Sequence, residues 1–352
     1  MADIDCHSEM CAFHKDEVTL ASAQQKEMRE RRDNGRTRLE TGLNEAKHPQ
    51  PREVRSQGSY QMRTMVQDPD NEYDIDDGAY FLKEDLQDAN GTALTPLAAR
   101  QRVCDALKWD GRLKREATVR SNCVRQDYPQ GYHIDIPVYK IVPPNGTNGE
   151  EHFELASGDQ WVKSDARAVT KWFNTLVPEL NQGESDGSQM RRVTKLTKKF
   201  SRRAEWKDKT TSGICITKLV VDHFAWSQDR DDLALRNTWK AIKAKLLAST
   251  RLEHPVNAVN LAEEGDEKLG YFRDCLISAL KTLEKLDKAD VTRKEVRLAW
   301  DEVFDTDFFS DQPDDNGGSG GKGGDSPKGQ GPAISVTNGE TARRNDGGGR
   351  FG

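Results

Sequence analysis

Two aspartates, two positions apart in an apolar strand pattern, narrow what this chain can be. Tyr73 to Leu82 reads as a β-strand, with Tyr73, Ile75, Tyr80 and Leu82 apolar or aromatic and Asp74 and Asp76 set among them. Successive strand side chains point to opposite faces, so Asp74 and Asp76 share a face while Ile75 enters the core. Asp77 points with Ile75 or sits at a bend, and is the poorer ligand. A hard cation such as Mg2+ takes carboxylate and phosphate oxygens. In two-metal transfer chemistry a pair of ions about 4 Å apart clamps the attacking and leaving oxygens. Asp135 is the natural third acid. It lies in His133-Ile134-Asp135-Ile136-Pro137-Val138-Tyr139, an apolar strand with one acid in its middle. A lone acid there must be paired or metal-bound, because an isolated buried charge is very costly. If that strand neighbours the Asp74 strand, the triad comes from two strands.

Gly58-Ser59 supplies the other half of a nucleotide site. Glycine lets a backbone approach phosphate closely. The spacing predicts a short helix from Ser59, as N-cap, to about Met65. Its N-terminus offers free N–H groups and a positive dipole end, and Ser59 adds a hydroxyl. The residues therefore point to metal-dependent nucleotidyl transfer. Asp74, Asp76 and Asp135 are the catalytic and metal-binding acids, two Mg2+ ions (or Mn2+) the cofactor, and Gly58 and Ser59 the phosphate cradle.

The rest of the chain fits one large domain or two packed lobes. Of 352 residues, 34% are hydrophobic and 32% charged, and the formal charge is −6. The apolar shortfall falls mainly after Asp311, so the remainder can build a core. No stretch approaches the roughly 18 apolar residues of a membrane span. The start, MADIDCHSEM, lacks the basic and apolar regions of a signal peptide. A cytoplasmic protein with six reduced cysteines is expected. Cys6, His7, Cys11 and His14 match no standard zinc spacing, so residues 1–17 are expected to form a flexible N-terminus.

Ser22 with Gln25 reads as a capping box opening a long polar helix to Leu43, ended by His48-Pro49-Gln50-Pro51. Asp68-Pro69-Asp70-Asn71 is a turn, Leu97 to Trp109 an amphipathic helix, and Ala117–Val124 and Tyr132–Val142 are strands. This order predicts an α+β mixed sheet with helices on one side, as a nucleotidyltransferase core over residues 18–160. After Pro143-Pro144-Asn145-Gly146 the pattern is mostly helical. Candidates are Ala166–Leu176, capped by Ser164-Asp165, then Met190–Trp206, Ile214–Phe224, Asp231–Leu247, Tyr271–Leu286 and Lys294–Val303. They make a helical lobe over 161–310. Residues 311–352 are rich in Gly, Asp and Ser, and are expected to be a disordered tail.

The blocks Gln57-Gly58-Ser59-Tyr60-Gln61, Asp74-Ile75-Asp76-Asp77-Gly78 and His133 to Tyr139 resemble the cGAS/DncV-like nucleotidyltransferases (CD-NTases) of bacterial antiphage signalling. The resemblance is nearest to their cyclic GMP–AMP synthase type and runs in ordered blocks from about Val18 to about Trp226. It implies a polymerase-β-like core with a helical lobe, and a donor triphosphate between them. It implies synthesis of a cyclic oligonucleotide, such as cyclic GMP–AMP, from ATP and GTP or other NTPs, in antiphage (CBASS) defence. It also carries Gln57 over as a nucleotide-binding residue, Lys198 and Ser212 as triphosphate contacts, and Ser164-Asp165 as a base contact. The residues alone read Lys198 equally as part of a solvated basic face with Lys195, Lys199, Arg202 and Arg203. Met62 stands where the relatives carry a tyrosine able to stack on a base. Enzymes of this type can be conjugated through a C-terminal glycine by an E1/E2-like partner, which makes Gly352 a candidate conjugation site. The alternatives are a cyclic trinucleotide, a pyrimidine-containing ring, or a non-cyclising transferase. The acidic net charge counts against long RNA substrates, whose binding needs basic contacts.

Overall fold

The computed structural model describes residues 4–68, 73–109, 111, 113–144, 150–181, 188–206 and 208–313. The expected Pro69-Asp70-Asn71 turn, Asn145-Gly146, most of the expected tail and Gly352 lie outside these.

The N-terminal segment is a correction. The sequence predicts a flexible stretch over residues 1–17, yet α1 (His7–Phe13) and a π-helical turn (His14–Val18) pack into the helical lobe. Apolar spacing explains it. Cys6, Met10, Phe13 and Val18 recur on one helical face and are buried. The Phe13 ring packs 4.7 Å from that of Phe304 and 4.9 Å from that of Phe309.

The long helix α2 runs from Ser22 to Glu45. Its start is held one residue earlier than expected, by the Gln24 side chain accepting from the Ala21 N–H. Then follow β1 (Glu53–Gln57), the short α3 (Gly58–Gln61), β2 (Asp74–Leu82) and α4 (Pro96–Lys108). The strands β3 (Thr118–Val119), β4 (Val124–Asp127), β5 (His133–Ile136) and β6 (Val138–Val142) come next. Two further strands, β7 (His152–Ser157) and β8 (Gln160–Lys163), fall where the sequence suggests helices. Their short alternating runs carry Glu154, Gln160 and Lys163 on polar positions and so give little apolar signal. The sheet has eight strands in the order β3-β4-β5-β2-β6-β7-β8, with β1 also on β2. β2 is parallel to β5 and β6 and antiparallel to β1, so the sheet is mixed as expected.

One sheet face carries α2 and α4. Ile75, Ala79 and Phe81 of β2 bury there with Leu39, Leu43, Val103 and Leu107. The two helices touch closely at Gly42. A Cβ on that residue would lie 2.0 Å from the Ala106 carbonyl oxygen. The opposite face holds Tyr80 stacked on Tyr139 at 4.5 Å and, towards its start, Asp74 and Asp76.

The helical lobe comprises α5 (Ala166–Leu180), α6 (Ser188–Ser201), α7 (Gly213–His223), α8 (Asp231–Ala248), α9 (Glu267–Leu283) and α10 (Arg293–Phe304). A small hairpin of β9 (Leu252–Glu253) and β10 (Asn260–Ala262), unforeseen in the sequence, joins α8 to α9. Met62, just after α3, packs with Phe173, Val177, Met190 and Val221 and so binds the core to this lobe. Residues 311–313, expected in the tail, are placed against the lobe: the carbonyls of Gln312 and Pro313 accept from Arg297.

Gly42→Ala is expected to destabilise the protein by about 1–3 kcal/mol, since backbone cannot give way to an added methyl. Thermal denaturation checks it. The midpoint should drop relative to that of Gly35→Ala, a control on the same helix where an added Cβ meets nothing within 4 Å.

Candidate active site

Strand register assembles the acids. On one side β1 pairs with β2, placing Gln57 opposite Asp76. On the other β5 pairs with β2, placing His133 opposite Asp74 and Asp135 opposite Asp76. Gln57, Asp76 and Asp135 therefore form one row across three strands. The adjacency of the Asp74 and Asp135 strands, left conditional by the sequence, is present. Ligand atoms of Asp74, His133 and Asp135 lie within 4.8 Å of one another.

Gly58 follows that row directly. Its φ is +63°, and a Cβ there would lie 2.5 Å from Asp76 Oδ2. Only glycine satisfies both the left-handed backbone and the contact. Ser59 falls inside α3 instead of capping it, because Gln57 is the N-cap.

The carboxylates differ in charge environment. Asp135 is buried and its two oxygens accept from Arg125 Nε and a terminal nitrogen, each at 2.8 Å. His133 Nδ1 lies 3.1 Å from Asp135 Oδ1. Burial opposes ionisation of Asp135, but His133 and then Arg125 outweigh it and hold the pKa at about 2. His133 is raised in turn: burial works against its charge, and Asp135 more than restores it. Asp76 has no such counter-charge beside it. Burial first, then repulsion from Asp74 and Asp135, push its pKa well above the ordinary carboxylate range. Asp74 is raised too, chiefly by burial, against the opposing pull of His133. Two crowded acids reluctant to ionise, next to a third already ionised, suit a divalent cation. Asp135 Oδ1 meets both Arg125 and His133, whereas Oδ2 accepts from Arg125 and keeps a second lone pair. The residues fit Mg2+ on chemistry and placement.

A cleft of about 170 Å³ opens on this row. Gly58, Ser59, Asp74, Asp76 and Asp135 form one wall, and Lys198, Arg202, Ser212 and Gly213 contribute to the other. Lys198 is buried, not on a solvated basic face. Its Nζ donates to Thr64 Oγ1 at 3.1 Å, and burial, with help from Arg202, lowers its pKa to about 7. Ser212 is the N-cap residue of α7 but makes no side-chain cap, leaving first-turn N–H groups directed at the cleft. Larger cavities exist elsewhere. One of about 490 Å³ is lined by Arg31, Arg38, Lys114 and Arg115, and among the described residues Asp127 is its single acid.

Two expected contacts are placed differently. The Gln57 amide is taken up by tyrosines: its Nε2 donates to the Tyr139 hydroxyl at 3.0 Å and its Oε1 accepts from Tyr80 at 2.8 Å. Its side-chain amide therefore ties the sheet together, while Gln57 itself lines the cleft. Asp165 caps α5, accepting from the N–H groups of Arg167 and Ala168 at 3.1 and 3.0 Å, and does not line the cleft. Asp77 points to the helix face, as its spacing from Ile75 predicts, and pairs with Arg36 at 2.5 Å. His133, Arg125 and Arg202 were missed as site residues. Only long-range pairing puts Arg125 beside Asp135, although His133, two positions from Asp135, could have been read as sharing its face.

The possible zinc quartet does not assemble. Cys6 is buried in the helical core, while His7 and Cys11 lie near Asp231. Asp231 is already paired with Arg192 and accepts from Gln189.

A raised folded-state pKa costs an acid's apo fold stability as pH rises through that pKa. Asp76→Asn is therefore expected to raise the melting midpoint of the metal-free protein near neutral pH. The rise should be about 2 °C, the scale of ~1 kcal/mol in a large domain. The gain should vanish in acid, and added Mg2+ should stabilise the parent chain more than the variant. Differential scanning calorimetry across pH, with and without Mg2+, reads all three.

Residues 52–139, which hold the Gly-Ser turn and all three acids, match the family model described as cyclic GMP-AMP synthase DncV-like, nucleotidyltransferase domain. The fold is similar to that of the Vibrio cholerae DncV cyclic AMP-GMP synthase in complex with nonhydrolysable GTP. There the TM-score is 0.67 at 18% identity, covering 85% of this chain and 95% of that one. It is also similar to Escherichia coli MS115-1 CdnC with ATP, at TM-score 0.64 and 15% identity over 87% and 99% of the chains. The 3'-deoxy GTP bound form of Escherichia coli DncV gives 0.63 and 16% over 82% and 92%. The fold is thus the polymerase-β-like core and helical lobe of those structures, and within it residues 52–139 are similar to the DncV-like nucleotidyltransferase domain.

Proposed function

We propose that this cleft joins nucleoside triphosphates into a cyclic oligonucleotide with release of pyrophosphate, foremost a cyclic dinucleotide such as cyclic GMP–AMP, in CBASS antiphage signalling. The observation that carries the reading is the Gln57–Asp76–Asp135 row facing Lys198 and the α7 N-terminus across one cleft. Solved structures of the same fold contain a GTP analogue, ATP and the linear intermediate 5' pppA(3',5')pG, which supports nucleotides as substrates here.

In this reading Ser59, the free N–H groups of α3 and α7, Lys198 and Ser212 grip the donor triphosphate. Asp74, Asp76 and Asp135 would hold two Mg2+ ions, which when bound lower the pKa of the attacking hydroxyl and neutralise charge at phosphorus. Arg125 and His133 keep Asp135 ionised and oriented. The acceptor's ribose hydroxyl attacks the α-phosphate in line, its proton is lost, and pyrophosphate leaves. A second transfer within the linear product closes the ring. Met62, Val169 and Ile214 give the cleft an apolar side without an aromatic ring. That side favours, as second reading, a cyclic trinucleotide or a pyrimidine-containing ring over strict purine selection.

Mg2+-dependent pyrophosphate release from mixed NTPs should fall to background in Asp76→Ala, while Asp77→Asn should retain catalysis to the extent that it folds. Unchanged release from Asp76→Ala would contradict the assignment.

The pH dependence follows from Lys198. A lysine with pKa about 7 is charged below that pH, and the carboxylates must be ionised above theirs. The kcat/KM profile should be bell-shaped, falling on the alkaline side from near pH 7. Lys198→Arg should move the alkaline limb upward, and an unmoved limb would remove Lys198 from the phosphate grip.

A further inference from the structure

Three cations that meet no carboxylate converge on a second cavity, behind the Gly58–Gln61 turn. Its volume is about 500 Å³, and among the described residues no aspartate or glutamate lines it. Arg29, Arg63 and Lys195 reach it from three different segments. Among the described residues no ion pair involves any of them. Lys195 has only the Thr19 hydroxyl, at 3.3 Å. The neighbouring arginines of α2 behave differently: Arg31 pairs with Glu27, Arg32 with Asp33 and Arg36 with Asp77. Three cations lining one cavity without a facing acid give it a positive field that attracts an anion. Burial and nearby Arg191 hold the Lys195 pKa down at about 8, a cost that an anion would relieve. The Arg63 φ of +57° comes from closing α3, where the Arg63 N–H donates to the Tyr60 carbonyl at 3.1 Å and the Thr64 N–H to that of Ser59 at 2.8 Å, and this turn aims its side chain at the cavity. The Tyr60 ring, with Arg32 over it at 5.4 Å, and the largely buried Met28 also line the cavity.

We infer that this cavity binds a small phosphorylated anion, either polyphosphate or a nucleotide. Three separated cations suit the dispersed charge of two or three phosphates, which arginine forks grasp well. The cavity is separate from the catalytic cleft but shares two elements with it. Gly58, Ser59 and Met62 face the cleft, whereas Tyr60 and Arg63 face this cavity. On α6, Lys198 faces the cleft and Lys195 the cavity, one turn apart. The inference rests on these cations and not on the proposed reaction, so either can fail alone.

The test is calorimetric titration of the full chain with tripolyphosphate in EDTA. Wild type should show a site that Arg29→Ala/Arg63→Gly weakens at least tenfold. Both side chains are exposed, and glycine suits a positive φ, so the variant should fold with an unchanged melting midpoint. Arg63→Lys in an otherwise native chain should weaken binding less than Arg63→Gly. Lys198→Ala, in the cleft, and Lys114→Ala/Arg115→Ala, in the other basic cavity, should leave this site within twofold. No binding, or binding to a chain carrying Lys198→Ala that Arg29→Ala/Arg63→Gly leaves unchanged, overturns the site. ATP binding there more tightly than tripolyphosphate identifies a nucleotide ligand, and ATP binding no more tightly identifies polyphosphate.

Discussion

Strand pairing around β2 is the constraint from which the site follows. β2 is flanked by β1 on one edge and by β5 and β6 on the other, so its register is fixed twice. That double constraint puts Asp76 between Gln57 and Asp135 and leaves Asp74 beside His133. A slip of one residue would exchange the faces, turning Ile75 to the cleft and the two acids into the α2–α4 core. The Gln57 amide, bonded to Tyr80 and Tyr139, ties strands β1, β2 and β6 together. Gly58 can then turn tightly enough to bring the α3 N-terminus against the Asp76 carboxylate, a place where no other residue fits.

The row of acids is electrostatically incomplete by itself. Arg125 and His133 settle Asp135, but Asp74 and Asp76 remain crowded and reluctant to ionise. Positive charge arrives from the helical lobe, where Lys198 and Arg202 line the facing wall. Met62 and its apolar neighbours on α5, α6 and α7 keep that wall in register with α3. The N-terminal helix belongs to the same lobe, so α2 links the two halves at its first turn as well as through its packing on the sheet. A cleft between two lobes held this way brings phosphate-binding groups and carboxylates together from distant parts of the chain.

Much of this was legible in the sequence where the pattern was local. The β2 strand, the face shared by Asp74 and Asp76, the inward course of Asp77 and the isolated acid at Asp135 all follow from alternation of period two. The helices of the second lobe were placed within a few residues by their apolar spacing. What could not be read depended on contacts far apart in sequence. Arg125 reaches Asp135 only through the β4–β5 hairpin, and the Gln57 amide meets Tyr80 and Tyr139 only once the strands have paired. The burial of Lys198 was hidden by the lysines and arginines around it. The N-terminal helix was misjudged because its cysteines and histidines mask the apolar face formed by Cys6, Met10 and Phe13. β7 and β8 went unseen because their polar positions weaken the apolar alternation.

If one cleft performs two successive transfers and closes a ring, the product keeps no free end. Mass spectrometry of the product made by the full chain from all four NTPs and Mg2+ tests this most directly. The structure leads us to expect masses equal to the sum of the joined nucleoside monophosphates less one water per linkage, with no 5' triphosphate remaining. Products that all retain a 5' triphosphate, or NTPs left unreacted, would contradict it.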